Sequence, residues 1–237
     1  MPKSLAKVKA IFFDLDQTIV DWKGYKEAAI NNSASAMVDA GLKLPVEDVK
    51  KCIDEIYIKK GYEYQRVFDD LLRAMNINPQ NRIFNKIKAA GVASYREAKR
   101  KYLKVYPDVP LALQHLIEMD YKLGLISDAP PFQGWIRIFE LKLDKFFPDD
   151  FVYISRWKKA SKRPFKLIMK DHELAPNELL MVGDDPRSDI KPANELGIVT
   201  ALAEYGRVYP IDLNDSLQIP DYHLKSFREL INLLNKK

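Results

Sequence analysis

Apolar positions follow two different rhythms along this chain. Between residues 22 and about 104 they recur at helical spacing. The pattern predicts helices from Lys23 to Ala40 stopping at Gly41, from Val46 to Lys60 stopping at Gly61, and from Tyr64 to Met75. A fourth runs from Gln80 to about Lys104 with a break near Gly91. From Tyr106-Pro107-Asp108 onward, short apolar runs alternate with helical stretches. Helix 109–119 precedes KLGLIS (122–127), helix 132–141 precedes FVYI (151–154), and helix 164–174 precedes LLMVG (179–183). Helix 188–196 precedes IVTALA (198–203), and Tyr222 to Leu224 with helix 226–235 closes the series. Strands alternating with helices of about ten residues predict βαβ units and a doubly wound parallel sheet, an α/β fold. One further apolar run, Ala10 to Phe13, stands before the helical block. The expected organisation is therefore a Rossmann-like core from residues 1–20 and 105–237, interrupted by an all-helical domain at 21–104.

The run at Ala10 ends in an unexpected way, in Asp14-Leu15-Asp16-Gln17-Thr18. A strand covered on both faces does not carry carboxylates without a reason, and Asp14 and Asp16 project to the same side if the extended backbone persists. Other predicted strand ends are polar in the same way: Ser127-Asp128 after KLGLIS, and Gly183-Asp184-Asp185-Pro186-Arg187-Ser188-Asp189 after LLMVG. Lys162 opens a helix between these two. Parallel strands deliver their carboxyl ends to one edge of the sheet, so these groups should converge on a single site.

With those residues in order, the chain resembles the haloacid dehalogenase superfamily of phosphohydrolases. DLDQT matches the first family motif, LIS the second, Lys162 the third and GDDPRSD the acidic fourth. The resemblance spans nearly the whole chain, and the helical insert falls where the family places a type-one cap that closes over the site. It implies an aspartyl-phosphate mechanism with Asp14 as nucleophile and Asp16 as general acid and base. It further implies phosphate contacts from Thr18, Ser127, the Asp128 backbone N–H and Lys162. Mg²⁺ is the implied cofactor, held by Asp14, the Asp16 carbonyl and Asp184, with Asp185 and Asp189 behind it or orienting the lysine; between Asp184 and Asp185 the sequence leaves the direct ligand open. The chain departs from the family's Lys-Pro pattern, having Lys162-Arg163-Pro164 with Lys158 and Lys159 close by; counting forward to Ile168 favours Lys162. Gln17 stands where the family usually has Gly or Asp.

The implied activity is a Mg²⁺-dependent phosphatase acting on a small phosphorylated metabolite. Rival readings on the same scaffold are a haloacid dehalogenase, a phosphomutase, or a binding protein without turnover. A dehalogenase needs neither Asp16 nor an acidic fourth motif.

Composition narrows the rest. The chain has 237 residues, 47% hydrophobic and 30% charged, enough to bury a substantial core. No stretch approaches the ~20 apolar residues of a membrane span, and no apolar leader precedes the first strand, so a cytoplasmic protein is expected. A single cysteine, Cys52, excludes an intrachain disulfide. The net charge of +5 is mildly favourable to anionic ligands. RWKKASKR (156–163), with Trp157, resembles a nucleic-acid patch, but a basic loop beside an anionic substrate explains it better. Tyr57, Tyr62 and Tyr64 read as packing residues of the insert, and His115, His172 and His223 have no metal spacing. Oligomeric state is not legible.

Overall fold

The computed structural model describes residues 2–154 and 157–235. In chain order the elements are β1 (Ala10–Phe13), α1 (Trp22–Asp39), α2 (Val46–Lys60), α3 (Val67–Ala74), α4 (Arg82–Tyr102), α5 (Val109–Glu118), β2 (Lys122–Ser127), α6 (Pro131–Glu140) and β3 (Val152–Ile154). There follow α7 (Arg163–Asp171), β4 (Leu179–Gly183), α8 (Lys191–Glu195), β5 (Val199–Ala203), β6 (Tyr222–Leu224) and α9 (Glu229–Leu234). The chain divides into two compact units, Met1–Asp21 with Val105–Lys237, and Trp22–Lys104.

The first unit is a six-stranded sheet of order β3-β2-β1-β4-β5-β6, with every pairing parallel. Every residue of β1, β4 and β5 is buried, which is why β1 and β4 read as unbroken apolar runs and β5 as one broken only by Thr200. β1 lies in the middle, between β2 and β4, with Phe13 paired to Leu125 on one side and Val182 on the other. The order reverses around β1, so the crevice expected of a doubly wound sheet opens at its carboxyl end.

The second unit packs α1 to α4 around Met37, Ile53, Leu71, Leu72, Phe84 and Ile87. Here one expectation fails. α4 runs unbroken through Gly91, because that glycine marks a close helix crossing rather than a stop. A Cβ on Gly91 would come within 2.9 Å of the Met37 side chain, and the Ser33 hydroxyl donates to the Gly91 carbonyl at 3.1 Å. α3 begins at Val67, three residues later than the pattern at Tyr64 suggested. Tyr57 is buried and stacks on Tyr62, and the Tyr64 hydroxyl donates to Asp70 at 2.6 Å. Tyr57 and Tyr95 line the surroundings of the buried Lys26 amine, which donates to the Tyr95 hydroxyl and the Tyr62 carbonyl, both at 2.6 Å. Among the described residues no helix is long and apolar enough to cross a membrane.

Candidate active site

β1 continues one step past its last strand residue, because the Asp14 N–H donates to the Val182 carbonyl at 2.9 Å. That bond carries Asp14 to the carboxyl edge of the sheet, beside the ends of β2 and β4. Its carboxylate is buried, and together with those of Asp184 and Asp189 it offers oxygens that all lie within 4.8 Å of one another. Asp189 belongs to a π-helical turn, Pro186–Ile190, that follows β4. The turn folds its carboxylate back over the strand end, where Oδ2 accepts the Asp185 N–H at 3.0 Å. Only glycine fits beneath it: a Cβ at Gly183 would stand 2.3 Å from Asp189 Oδ2.

The amine in this cluster is that of Lys159, not Lys162. Lys159 is 3% exposed, and its ammonium pairs with Asp14 and, at 2.5 Å, with Asp189. Lys162 is in left-handed conformation at φ +63°, is substantially exposed, and pairs with Glu195 at 2.7 Å. The count forward to Ile168 assumed that the helix begins at the functional lysine. Instead a 3-10 turn, Lys159–Ser161, and the left-handed Lys162 stand between the buried lysine and α7. Asp128 holds this segment in place: its carboxylate accepts the Lys159 N–H at 2.8 Å and its carbonyl accepts the Lys158 amine at 2.6 Å. No signal in the local pattern distinguishes Lys159 from its neighbours, since the approach of its amine depends on that long-range anchor.

The remaining residues fall as follows. Ser127 is buried at the end of β2, its oxygen accepting the Ala129 N–H at 3.2 Å. Thr18 is buried, and its hydroxyl has no hydrogen-bond partner among the described residues, while its carbonyl accepts the Tyr205 hydroxyl at 2.8 Å. Gln17 is left-handed at φ +66° and turns its amide to the Gly206 carbonyl at 3.3 Å. Asp16 lies outside the carboxylate cluster; its Oδ2 accepts from Arg137 Nη1 at 2.7 Å. Asp185 lies outside the cluster, its carboxylate accepting three hydrogen bonds from Arg187, one from the backbone N–H and two from the guanidinium, which stacks on Tyr209. Arg156 of the basic stretch lies outside the described residues, and the Trp157 ring is covered by the Arg163 guanidinium at 3.8 Å. His172 stacks on Phe151, His223 pairs with Glu204, and His115 lies 3.7 Å from Glu118. Sequence reasoning named Lys159 only as a neighbour of the favoured Lys162, and did not single out Arg137 or Tyr205. Of these, only Arg137 left a trace, as a cation on the otherwise apolar stripe of α6.

Electrostatics set the character of the cluster. Burial, together with the neighbouring carboxylates, pushes Asp184 up to about 9. Burial likewise lifts Asp189 to about 7 and Asp14 to about 6, although Lys159 pulls both down. Burial works against the Lys159 ammonium, yet the facing Asp14 and Asp189 hold it well above the ordinary lysine value. Asp185 stays below the usual carboxylate range: burial would raise it, and the bonds from Arg187 more than offset this. Three buried carboxyls share one ammonium, so without a further cation the cluster retains protons, which a divalent cation would displace. Such an all-oxygen donor set suits a hard divalent cation.

The carboxyl edge of this parallel sheet thus gathers an aspartate from the first strand, a serine from the second and an acidic cluster from the fourth, at the place where α/β proteins of the doubly wound class bind ligands. The model of the haloacid dehalogenase-like hydrolases matches residues 11–203, and the chain belongs to that family. A glyceraldehyde 3-phosphate phosphatase of Pyrococcus furiosus is 32% identical over 238 residues, covering 98% of this chain and 95% of that protein. Another, of Methanopyrus kandleri, is 31% identical over 97% of this chain and 98% of that one. A solved structure of a putative hydrolase of the family from Bacillus subtilis, bound to magnesium, shares the fold with a TM-score of 0.67 at 18% identity, over 97% of this chain and 99% of that one. Within the family, this chain is an enzyme of the phosphoric monoester hydrolase type.

Proposed function

We propose that this protein hydrolyses the phosphate monoester of a small aldose or related metabolite, glyceraldehyde 3-phosphate first among them, in a Mg²⁺-dependent reaction. The observation that carries the chemistry is the buried Lys159 ammonium wedged between Asp14 and Asp189 at the edge of the sheet. The substrate class is supported by the two relatives at 31% and 32% identity over nearly the full chain.

In this reading Asp14, held rigid by its backbone bond to β4, attacks phosphorus and forms the aspartyl-phosphate. Asp16 gives a proton to the departing alkoxide and takes one from the water that releases phosphate. Lys159 neutralises charge on the phosphoryl oxygens, the main requirement of a loose transition state. Ser127 and the Asp128 N–H face the same oxygens, and the unsatisfied Thr18 hydroxyl is a further donor at the turn. The carboxylates of Asp14 and Asp184 and the Asp16 carbonyl would hold Mg²⁺, with Asp189 fixing Lys159 beside them. When bound, the cation supplies the charge that lets a phosphate dianion approach this many carboxylates.

The test is phosphate release from a panel of metabolite esters with Mg²⁺ and with EDTA. Release from glyceraldehyde 3-phosphate, lost in EDTA, is expected; isomer formation without free phosphate would instead identify a mutase.

The raised carboxyls also give a stability signature. Between about pH 6 and about pH 9 these three carboxyls bind more protons in the metal-free folded state than in the unfolded chain, so their contribution to stability falls as pH rises. In EDTA the thermal midpoint is expected to drop by roughly 5 °C between about pH 6 and about pH 8.5, and excess Mg²⁺ should remove most of that drop. A midpoint that is level or rising in EDTA would show that these groups ionise freely.

A further inference from the structure

We infer that Arg137 is the positioning residue for the acid–base carboxylate, Asp16; the inference rests on the role proposed for Asp16 above. Arg137 lies on the buried stripe of α6 with Gly134 and Ile138, and only 4% of the residue is exposed. Its Nη1 donates to Asp16 Oδ2 at 2.7 Å. The pair is asymmetric: the arginine side chain is 5% exposed and the aspartate side chain 26%. The cation is thus part of the framework, and the carboxylate is the more accessible partner of the two.

An arginine at such a position is a poor choice for stability alone. Burying a guanidinium is costly, and an apolar residue of similar volume on the same stripe would commonly be neutral or better. What the arginine adds is direction. The backbone around Asp16 is already fixed, with the Gln17 N–H donating to the Val20 carbonyl at 2.7 Å and Tyr205 donating to the Thr18 carbonyl. The remaining freedom of Asp16 is rotation of its side chain. α6 packs against β3 of the same sheet, so the Arg137 head reaches Asp16 from a rigid base. Because a guanidinium keeps its charge at every working pH, the contact persists through the whole cycle, including the step in which the carboxyl changes protonation. By holding the Oδ2 edge, Arg137 sets where the Oδ1 edge faces, and that edge must meet the leaving oxygen and then the attacking water at the same place.

Positioning of a general acid has a distinctive kinetic signature. An alkoxide leaves slowly without a proton, whereas p-nitrophenolate needs little help. In the full-length protein with Mg²⁺, Arg137→Met is expected to lower kcat/KM on glyceraldehyde 3-phosphate by about 30-fold or more relative to kcat/KM on p-nitrophenyl phosphate, a ratio that reads leaving-group departure and not the dephosphorylation step the two esters share. Arg137→Lys should recover part of the ratio. The ratio is taken on one preparation, so a reduced folded fraction cancels. Should Arg137→Met fail to fold, the ratio in Arg137→Lys, expected to be several-fold below wild type, decides instead. Equal losses on both esters, or no loss on either, would overturn the inference. Asp16→Asn, run alongside, separates the two levels. If it shows the ester-dependent loss and Arg137→Met does not, Arg137 has no positioning role; if it lacks the loss itself, the acid–base reading of Asp16 fails and takes the inference with it.

Discussion

Lys159→Met is expected to lower kcat for phosphate release by about 10³-fold, whereas Lys162→Ala should leave it within about two-fold of wild type. The contrast follows from where the two amines lie. Lys159 is inside the carboxylate cluster with almost no access to water, so its charge acts at short range in a medium that screens poorly. Lys162 spends its charge on Glu195 at a partly exposed position, where an ion pair contributes little. Methionine keeps most of the lysine stem, so the variant tests the charge rather than the packing. It also leaves Asp14 and Asp189 without their shared cation, so the metal-free variant should unfold at lower temperature than wild type, with Mg²⁺ restoring part of the loss. Kinetics on the two purified variants decide the matter; a large loss in Lys162→Ala with activity intact in Lys159→Met would reverse the assignment.

Asp14→Asn should remove turnover almost entirely, by about 10⁴-fold or more, because an amide cannot form the acyl phosphate and no neighbouring carboxylate shares its place beside β4. The accompanying stability change is expected to be small or positive. Burial and the crowding of Asp16 and Asp128 raise the Asp14 carboxyl to about 6, so above that pH its ionised form is held at a cost that Lys159 only partly offsets. An inactive variant whose midpoint at about pH 8 in EDTA equals or exceeds that of wild type would separate lost chemistry from a lost fold. Retained activity would exclude Asp14 as nucleophile.

Much of this architecture is legible in one dimension because its physics is local. A strand buried on both faces has to be apolar throughout, so KLGLIS, LLMVG and the run at Ala10 announce themselves, and parallel connections require helices between them. The polar residues that end those runs stand out against the same background, which is how Asp14, Ser127 and Asp184 come to notice. The expectation at Gly91 failed for an equally physical reason. Glycine lowers helix propensity, but it also lets two helices approach, and only the neighbouring helix with Met37 shows which of these applies.

The sequence by itself determined the α/β class, the alternation of strands and helices, and the set of strand-end residues from which a site can be assembled. Tertiary structure alone decided which of three nearby lysines enters that site, that Asp184 and Asp189 rather than Asp185 face Asp14, and that Arg137 meets Asp16. Each of those choices is made by a partner distant in the chain: Asp128 holding the Lys159 backbone, Glu195 drawing Lys162 outward, and α6 carrying its guanidinium to the turn after β1. Burial patterns repeat with the period of the local backbone and so are written along the chain. The direction of one charged side chain depends on which distant partner is near it in the folded protein, and that has no period to read.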